Sequence, residues 1–241
     1  MGENLNVRNV ILCYGDSNTY GYAPMLAGSF RYPEEDIWPA ILERETGIRT
    51  RNLGLCGREI PVWPRQTEAI RQMLVKETLE EGPALSDETT GKVDALSSWE
   101  GRRDFAGGIY GKSCVPQIRL LIMLGTNDLL KHRNFLAEDV TARMEQFLLT
   151  LLQETTLQQK GSICIVPPPS MQQGEWVDEV RLLRESRRLH ETYALLAKKL
   201  GIVCIQTGNW SIPLSFDGVH FTQEGHRIFA WEMAKRIRGG L

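Results

Sequence analysis

The chain is 241 residues long, 42% hydrophobic and 24% charged, with a formal net charge of −2 at pH 7. That balance excludes a disordered or collagen-like chain and leaves no basic surplus to condense on nucleic acid or anionic lipid. No apolar run approaches the ~18 residues of a membrane span, and the length suits one α/β domain, residues 1–241, that needs neither a disulfide nor a metal staple.

Taken in chain order, short apolar runs alternate with helical stripes. Residues 10–14 (Val-Ile-Leu-Cys-Tyr) form a compact run that stops at Gly15 and predict a buried strand. A weaker, alternating strand candidate covers 48–53, and Ile70, Met73 and Leu74 mark a helix after Pro64. From about 81 to 116 the chain is rich in Gly, Ser, Thr and Asp with weak periodicity, and we expect a long irregular insertion there. A second strongly apolar run, 118–124, ends at Gly125. Val140, Met144, Phe147 and Leu151 then follow at helical spacing. Residues 163–166 run into three prolines, 167–169. A long stripe through Leu182, Leu189, Tyr193, Leu196 and Leu200 stops at Gly201. A last run, 202–205, precedes a terminal helix marked by Phe229, Met233 and Ile237. Four strongly apolar runs of strand length imply a parallel sheet covered on both faces, and the alternation implies a doubly wound α/β domain.

The five cysteines are odd in number, and Cys13, Cys164 and Cys204 lie inside apolar runs. We therefore expect reduced, buried thiols and a cytoplasmic protein. The N-terminal residues contain no apolar stretch followed by a cleavage site, and Asn6 spoils a myristoylation signal.

Chemistry is suggested first at Gly15-Asp16-Ser17-Asn18. In an open α/β sheet ligands bind beyond the carboxyl ends of the strands, which is where Ser17 falls. A serine hydroxyl needs a base, and by itself the tetrapeptide reads equally as a turn and helix cap. Asp217-Gly-Val-His220 offers the base: an Asp three residues before a His can take its Nδ1–H and leave Nε2 free for a serine. His132, His190 and His226 have no such local carboxylate, and the last two suit surface or satisfied core positions. Asn127, after the 118–124 run, offers a neutral donor to a developing oxyanion. The glycines of Asn52-Leu-Gly-Leu-Cys-Gly57 would let a substrate oxygen approach a backbone N–H.

Together and in this order, the pieces resemble the four sequence blocks of the SGNH (GDSL-like) hydrolase family, from about residue 10 to 222. The strings Ile-Met-Leu-Gly-Thr-Asn-Asp at 122–128, Val-Pro-Pro-Pro at 166–169 and Asp-Gly-Val-His-Phe-Thr at 217–222 resemble its bacterial arylesterase/acyltransferase branch. The resemblance implies a three-layer α/β/α sandwich with a flavodoxin-like parallel sheet of about five strands. It implies Ser17 as nucleophile, His220 as general base and Asp217 as its orienter. It places the oxyanion hole at the N–H groups of Ser17 and Gly57 and the side chain of Asn127, with Gly57 matched in preference to Gly54. It further implies a small-molecule ester substrate, no cofactor and no metal, and a homo-oligomer. Trp63, Pro64 and the 81–116 stretch are candidates to shape the pocket, Trp63 as a substrate-binding residue, although these residues equally suit plain core or hinge roles. Aryl or alkyl acetates are the expected substrates, by hydrolysis or acyl transfer, with a carbohydrate O-deacetylase as the alternative.

Two rival readings compete. Residues 106–113 (Ala-Gly-Gly-Ile-Tyr-Gly-Lys-Ser) satisfy a relaxed phosphate-loop pattern, but a working loop follows a strand and opens a helix, and here both flanks are wrong. Lys112, Arg102 and Arg103 are read as solvated loop charges. A non-catalytic binding module on the same fold is the other rival. It gives no reason to hold Ser17, Gly57, Asn127, Asp217 and His220 together at strand ends.

Overall fold

The computed structural model describes residues 10–24, 30–79, 120–153 and 162–239. The expected irregular stretch at 81–116, Cys114 and the phosphate-loop-like string with Lys112 lie outside the described residues.

Five strands form one parallel sheet in the order β2-β1-β3-β4-β5: β1 (Val10–Gly15), β2 (Arg49–Gly54), β3 (Leu120–Met123), β4 (Ile163–Ile165) and β5 (Val203–Cys204). The central strands are apolar at every position because both faces are covered. Side chains alternate between faces with period two, and the core divides accordingly. Leu12, Tyr14, Leu120, Ile122, Ile163 and Ile165 point to one layer. There they meet Val140, Met144 and Phe147 of α5 (Ala137–Leu151) and Leu189, Tyr193 and Leu196 of α6 (Val180–Leu200). Ile70 of α3 (Pro64–Leu79) joins this layer. Ile11, Cys13, Leu121, Met123 and Cys164 point the other way, onto Trp38, Ile41 and Leu42 of α2 (Trp38–Thr46) and Phe229, Met233 and Ile237 of α7 (Gln223–Arg238). The result is the three-layer sandwich that the sequence implies. Gly201 ends α6 at φ +67, as its position predicts.

Three features depart from the sequence reading. The strand predicted at 202–205 shrinks to two residues at the sheet edge, and Cys204 there is only half-buried while Cys13 and Cys164 are buried. Helix α2 has no predicted counterpart: Ile37 before it supplies no side-chain cap. Instead the N–H of Trp38 donates to Nδ1 of His226, 3.4 Å away on α7. His226 is therefore no surface or satisfied core residue. It is fully buried, its Nε2 finds no partner among the described residues, and burial lowers its pKa to about 3, so it is held neutral.

The chain leaves β1 toward β2 on one side and reaches β3 on the other. The carboxyl ends of β1 and β3 thus flank the topological switch point, where open α/β sheets bind ligands.

Candidate active site

At the end of β1 the backbone turns sharply into α1 (Ser17–Tyr20). Gly15 is required here, because a Cβ would lie 2.0 Å from Thr19 Oγ1. Asp16 Oδ1 accepts the N–H of Asn18 at 3.0 Å and so caps the turn. The Asp16 carboxyl is buried, and desolvation raises its pKa to about 6 despite that bond and the nearby charges of His220 and Arg58. Ser17 follows, 6% exposed.

The partner of Ser17 comes from the other end of the chain, in the loop before α7. Asp217 folds back on its own loop: Oδ1 accepts the N–H groups of Val219 and His220, each at 2.9 Å, and Oδ2 lies 2.6 Å from His220 Nδ1. Burial opposes ionisation of this carboxyl, but those three hydrogen bonds outweigh it and hold its pKa below the usual carboxylate value. An ionised Asp217 takes the Nδ1–H, so Nε2 is left as the acceptor, and it lies 2.9 Å from Ser17 Oγ. The hydroxyl, imidazole and carboxylate form one hydrogen-bonded chain, buried from end to end. Such a chain can strip a proton from a serine as it attacks a carbonyl carbon.

A loop of residues 55–60 after β2 borders the same sheet edge. Leu55 N–H and the Arg58 guanidinium both donate to Gly15 O, at 3.2 and 2.8 Å, and the guanidinium lies over the Tyr14 ring at 4.1 Å. Helix α4 (Thr126–Lys131) grips the loop at three points: Asn127 Nδ2 donates to Arg58 O at 3.0 Å, Lys131 Nζ to Gly57 O at 2.6 Å, and Ile60 N–H to Asp128 Oδ2 at 3.1 Å. Among the described residues Asn127 spends one amide hydrogen on the loop and finds no partner for the other. The two glycines of this region are distinct in role. Gly54 N–H is taken by Asn52 Oδ1, and a Cβ there would lie 2.1 Å from Tyr20 N. Gly57 has φ +72, and a Cβ there would meet only Lys131 Nζ, at 3.7 Å. Among the described residues no hydrogen bond takes the Gly57 N–H, whereas that of Gly54 is used.

The model of the GDSL-like lipase/acylhydrolase family matches residues 13–228. The chain belongs to this family. A search of curated proteins finds no match. Among solved structures, the GDSL-like chain is similar to the native aryl esterase of M. smegmatis, at 20% identity and a TM-score of 0.67, covering 97% of this chain and 100% of that one. It is likewise similar to Est24, a carbohydrate acetylesterase from Sinorhizobium meliloti (18% identity, TM-score 0.69, 96% and 99% covered). A member of the lipolytic protein G-D-S-L family from Veillonella parvula matches at 16% identity and a TM-score of 0.58, over 94% and 96% of the chains. These likenesses agree with the observed sheet and its flanking helices.

Of the residues singled out in the GDSL-like sequence, Ser17, Asp217 and His220 meet directly. Gly57 and Asn127 lie on two segments joined through Arg58 and tied to Gly15. Trp63 stands apart: its carbonyl opens α3 by accepting from Gln66 and Thr67 N–H, and its indole is 68% exposed. Among the described residues no hydrogen bond or ring contact joins that indole to Ser17 or His220.

Four residues near the site carry roles that the sequence reading does not assign. Asn18 clamps the two ends of the chain together, donating from Nδ2 to Val219 O at 3.1 Å and accepting Phe221 N–H on Oδ1 at 2.8 Å. It grips the backbone on both sides of His220. Its signal in the sequence is only an amide, with both a donor and an acceptor, directly after Gly-Asp-Ser. Arg58 anchors the 55–60 loop. Tyr22 and Trp176 pack their rings on the His220 imidazole. Neither aromatic belongs to a motif, and only the folded chain brings them to the histidine. Among the described residues no cluster of three or more His, Cys, Asp or Glu side chains is placed to hold a metal ion.

Proposed function

We propose that the protein is a serine esterase acting on small carboxylic esters through an acyl-Ser17 intermediate. The observation that carries this reading is the buried chain Ser17 Oγ–His220 Nε2, 2.9 Å, and His220 Nδ1–Asp217 Oδ2, 2.6 Å. Ser17 Oγ attacks the ester carbonyl carbon while its proton passes to His220 Nε2. The carbonyl electron pair moves to oxygen and is held by the Ser17 and Gly57 N–H groups and the remaining amide hydrogen of Asn127. When that pair returns, the bond to the alcohol breaks, and the alcohol leaves with the proton from Nε2. Water, activated by the same nitrogen, then cleaves the acyl-Ser17 ester and restores the enzyme. A second alcohol in place of water gives acyl transfer by the same steps.

The preferred substrates are acetate-type esters of aryl or alkyl alcohols, a preference supported by the likeness to an aryl esterase. Deacetylation of carbohydrates is the second reading, supported by the likeness to a carbohydrate acetylesterase. No cofactor enters either mechanism.

The test is p-nitrophenyl acetate turnover by wild type, S17A and H220A, with mass spectrometry after a serine-directed phosphonate. Expected are loss of turnover in both variants and a single adduct on Ser17 of the wild type. Unchanged turnover in S17A places the nucleophile elsewhere and ends the proposal.

A further inference from the structure

His220 must hand its proton to the departing alcohol, so that alcohol's oxygen has to lie within hydrogen-bond reach of Nε2. On the reading above the oxyanion is held by other groups, at Gly57 and Asn127. The alcohol half of the ester therefore leaves past the imidazole, and whatever packs on the imidazole borders it.

Two aromatic rings do. Tyr22 lies on one part of the ring, centroids 4.6 Å apart and planes at 55°. Trp176 meets it at 5.1 Å and 83°, edge to face. Tyr22 is half-buried, whereas Trp176 is 48% exposed although its ring touches a histidine that is only 3% exposed. A large apolar side chain half in water beside a buried polar chain offers uncovered surface to a ligand.

The support under that indole is rigid. Residues 172–177 are latched to the Asp–His loop by three backbone bonds: Gln172 N–H to Gly218 O, Glu175 N–H to Phe216 O, and Trp176 N–H to Asp217 O, at 3.0, 3.1 and 3.1 Å. Gly174 and Gly218 are pressed together, since a Cβ on Gly174 would lie 2.4 Å from Gly218 N. Trp176 thus keeps its place relative to His220, as a recognition element must.

We propose that Trp176 is a specificity-determining residue, the platform for the alcohol half of the ester, and that it selects alcohols carrying a flat ring next to the ester oxygen. The ring is an arene or the C–H face of a pyranose, which present the same apolar surface to an indole. The inference rests on the Ser17–His220 esterase reading. It adds to that reading which side of the substrate is read, and by which residue.

The experiment compares kcat/KM for benzyl acetate, ethyl acetate and a mono-acetylated methyl pyranoside in wild type, W176A and W176F. All three esters yield the same acetyl-enzyme, and kcat/KM reports the steps through departure of the alcohol. Intrinsic reactivity cancels when the ratio of two esters is compared between variants. Stacking and burial of one ring are worth about a factor of ten. The expected result is a fall of about tenfold in the benzyl-to-ethyl ratio, the pyranoside-to-ethyl ratio or both in W176A, with recovery in W176F. Which ratio falls identifies the ring. Ratios unchanged within twofold overturn the proposal, because an equal loss on every ester means that Trp176 only shields the imidazole. Thermal melting of each variant separates such a loss from unfolding. If the wild type cleaves no ester, the esterase reading fails first and takes this inference with it.

Discussion

Replacing Asn18 by leucine tests the link between the two ends of the chain. Asn18 is 3% exposed, and leucine shares its branching but is bulkier, so the change removes two hydrogen bonds and leaves no cavity. It leaves Val219 O and Phe221 N–H facing an apolar side chain. Each buried group left unpaired costs about 1–3 kcal/mol, so N18L should lose roughly 2–6 kcal/mol, a large share of the ~5–15 kcal/mol that holds a typical domain together. The loop has one escape: residues 219–221 shift until water satisfies both groups. That spares stability but carries His220 away from Ser17, and a displacement of ~1 Å costs about 100-fold in turnover. N18L must therefore fail in stability or in turnover. The assays are guanidinium unfolding followed by tryptophan fluorescence, and p-nitrophenyl acetate turnover. N18D sharpens the test. One carboxylate oxygen still accepts Phe221 N–H, but the other now opposes Val219 O where a donor stood. Protonation restores a donor, so the deficit of N18D should shrink as pH falls. An N18L protein that unfolds at the wild-type midpoint and turns over within twofold of wild type would refute the clamp.

Three further outcomes are expected. N127A should lose roughly 100–1,000-fold in kcat, the usual effect of removing one oxyanion donor, with a modest fall in melting temperature from the lost bond to Arg58 O; a smaller loss with unchanged KM removes Asn127 from the oxyanion site. G54A should destabilise far more than G57A, because its Cβ meets the Tyr20 backbone at 2.1 Å, whereas that of Gly57 meets only Lys131 Nζ at 3.7 Å and carries only the left-handed penalty of about 1–2 kcal/mol; equal melting temperatures contradict this packing. Asp16, raised from 3.8 to about 6, keeps its proton in the folded state over a range where the unfolded chain has lost it. The folded state binds more protons there, so this group's contribution to stability falls as pH rises through the window, by about 3 kcal/mol. D16N keeps an oxygen for Asn18 N–H and escapes that cost. Its unfolding free energy relative to wild type should rise by about 3 kcal/mol between roughly pH 4 and pH 7, and a flat difference refutes the shift.

Continuous apolar runs of strand length, and the 3.6 period of the helical stripes between them, determine this protein's layered α/β architecture from sequence alone, because burial on two faces demands those patterns. The same local chemistry makes the Asp217-to-His220 bond legible: both residues sit on one loop, and a spacing of three lets the carboxylate reach Nδ1 and two backbone N–H groups. Gly201 as a helix stop is legible for the same reason, since the requirement for positive φ is local. What only the tertiary structure decides is everything that depends on partners distant in the chain. Helix α2 starts on Ile37 and shows no capping residue in sequence, since its cap is His226 from the last helix. Asn18 looks like a turn residue until the fold lays it against residues 219–221. Gly54 and Gly57 are alike on paper and differ because Tyr20 crowds only the first. Trp63 and Trp176 are both exposed indoles, and only the crossing of residues 172–177 over the Asp–His loop brings one of them to the imidazole. Periodicity records which side chains are removed from water, but it carries no information about which polar group each will then meet.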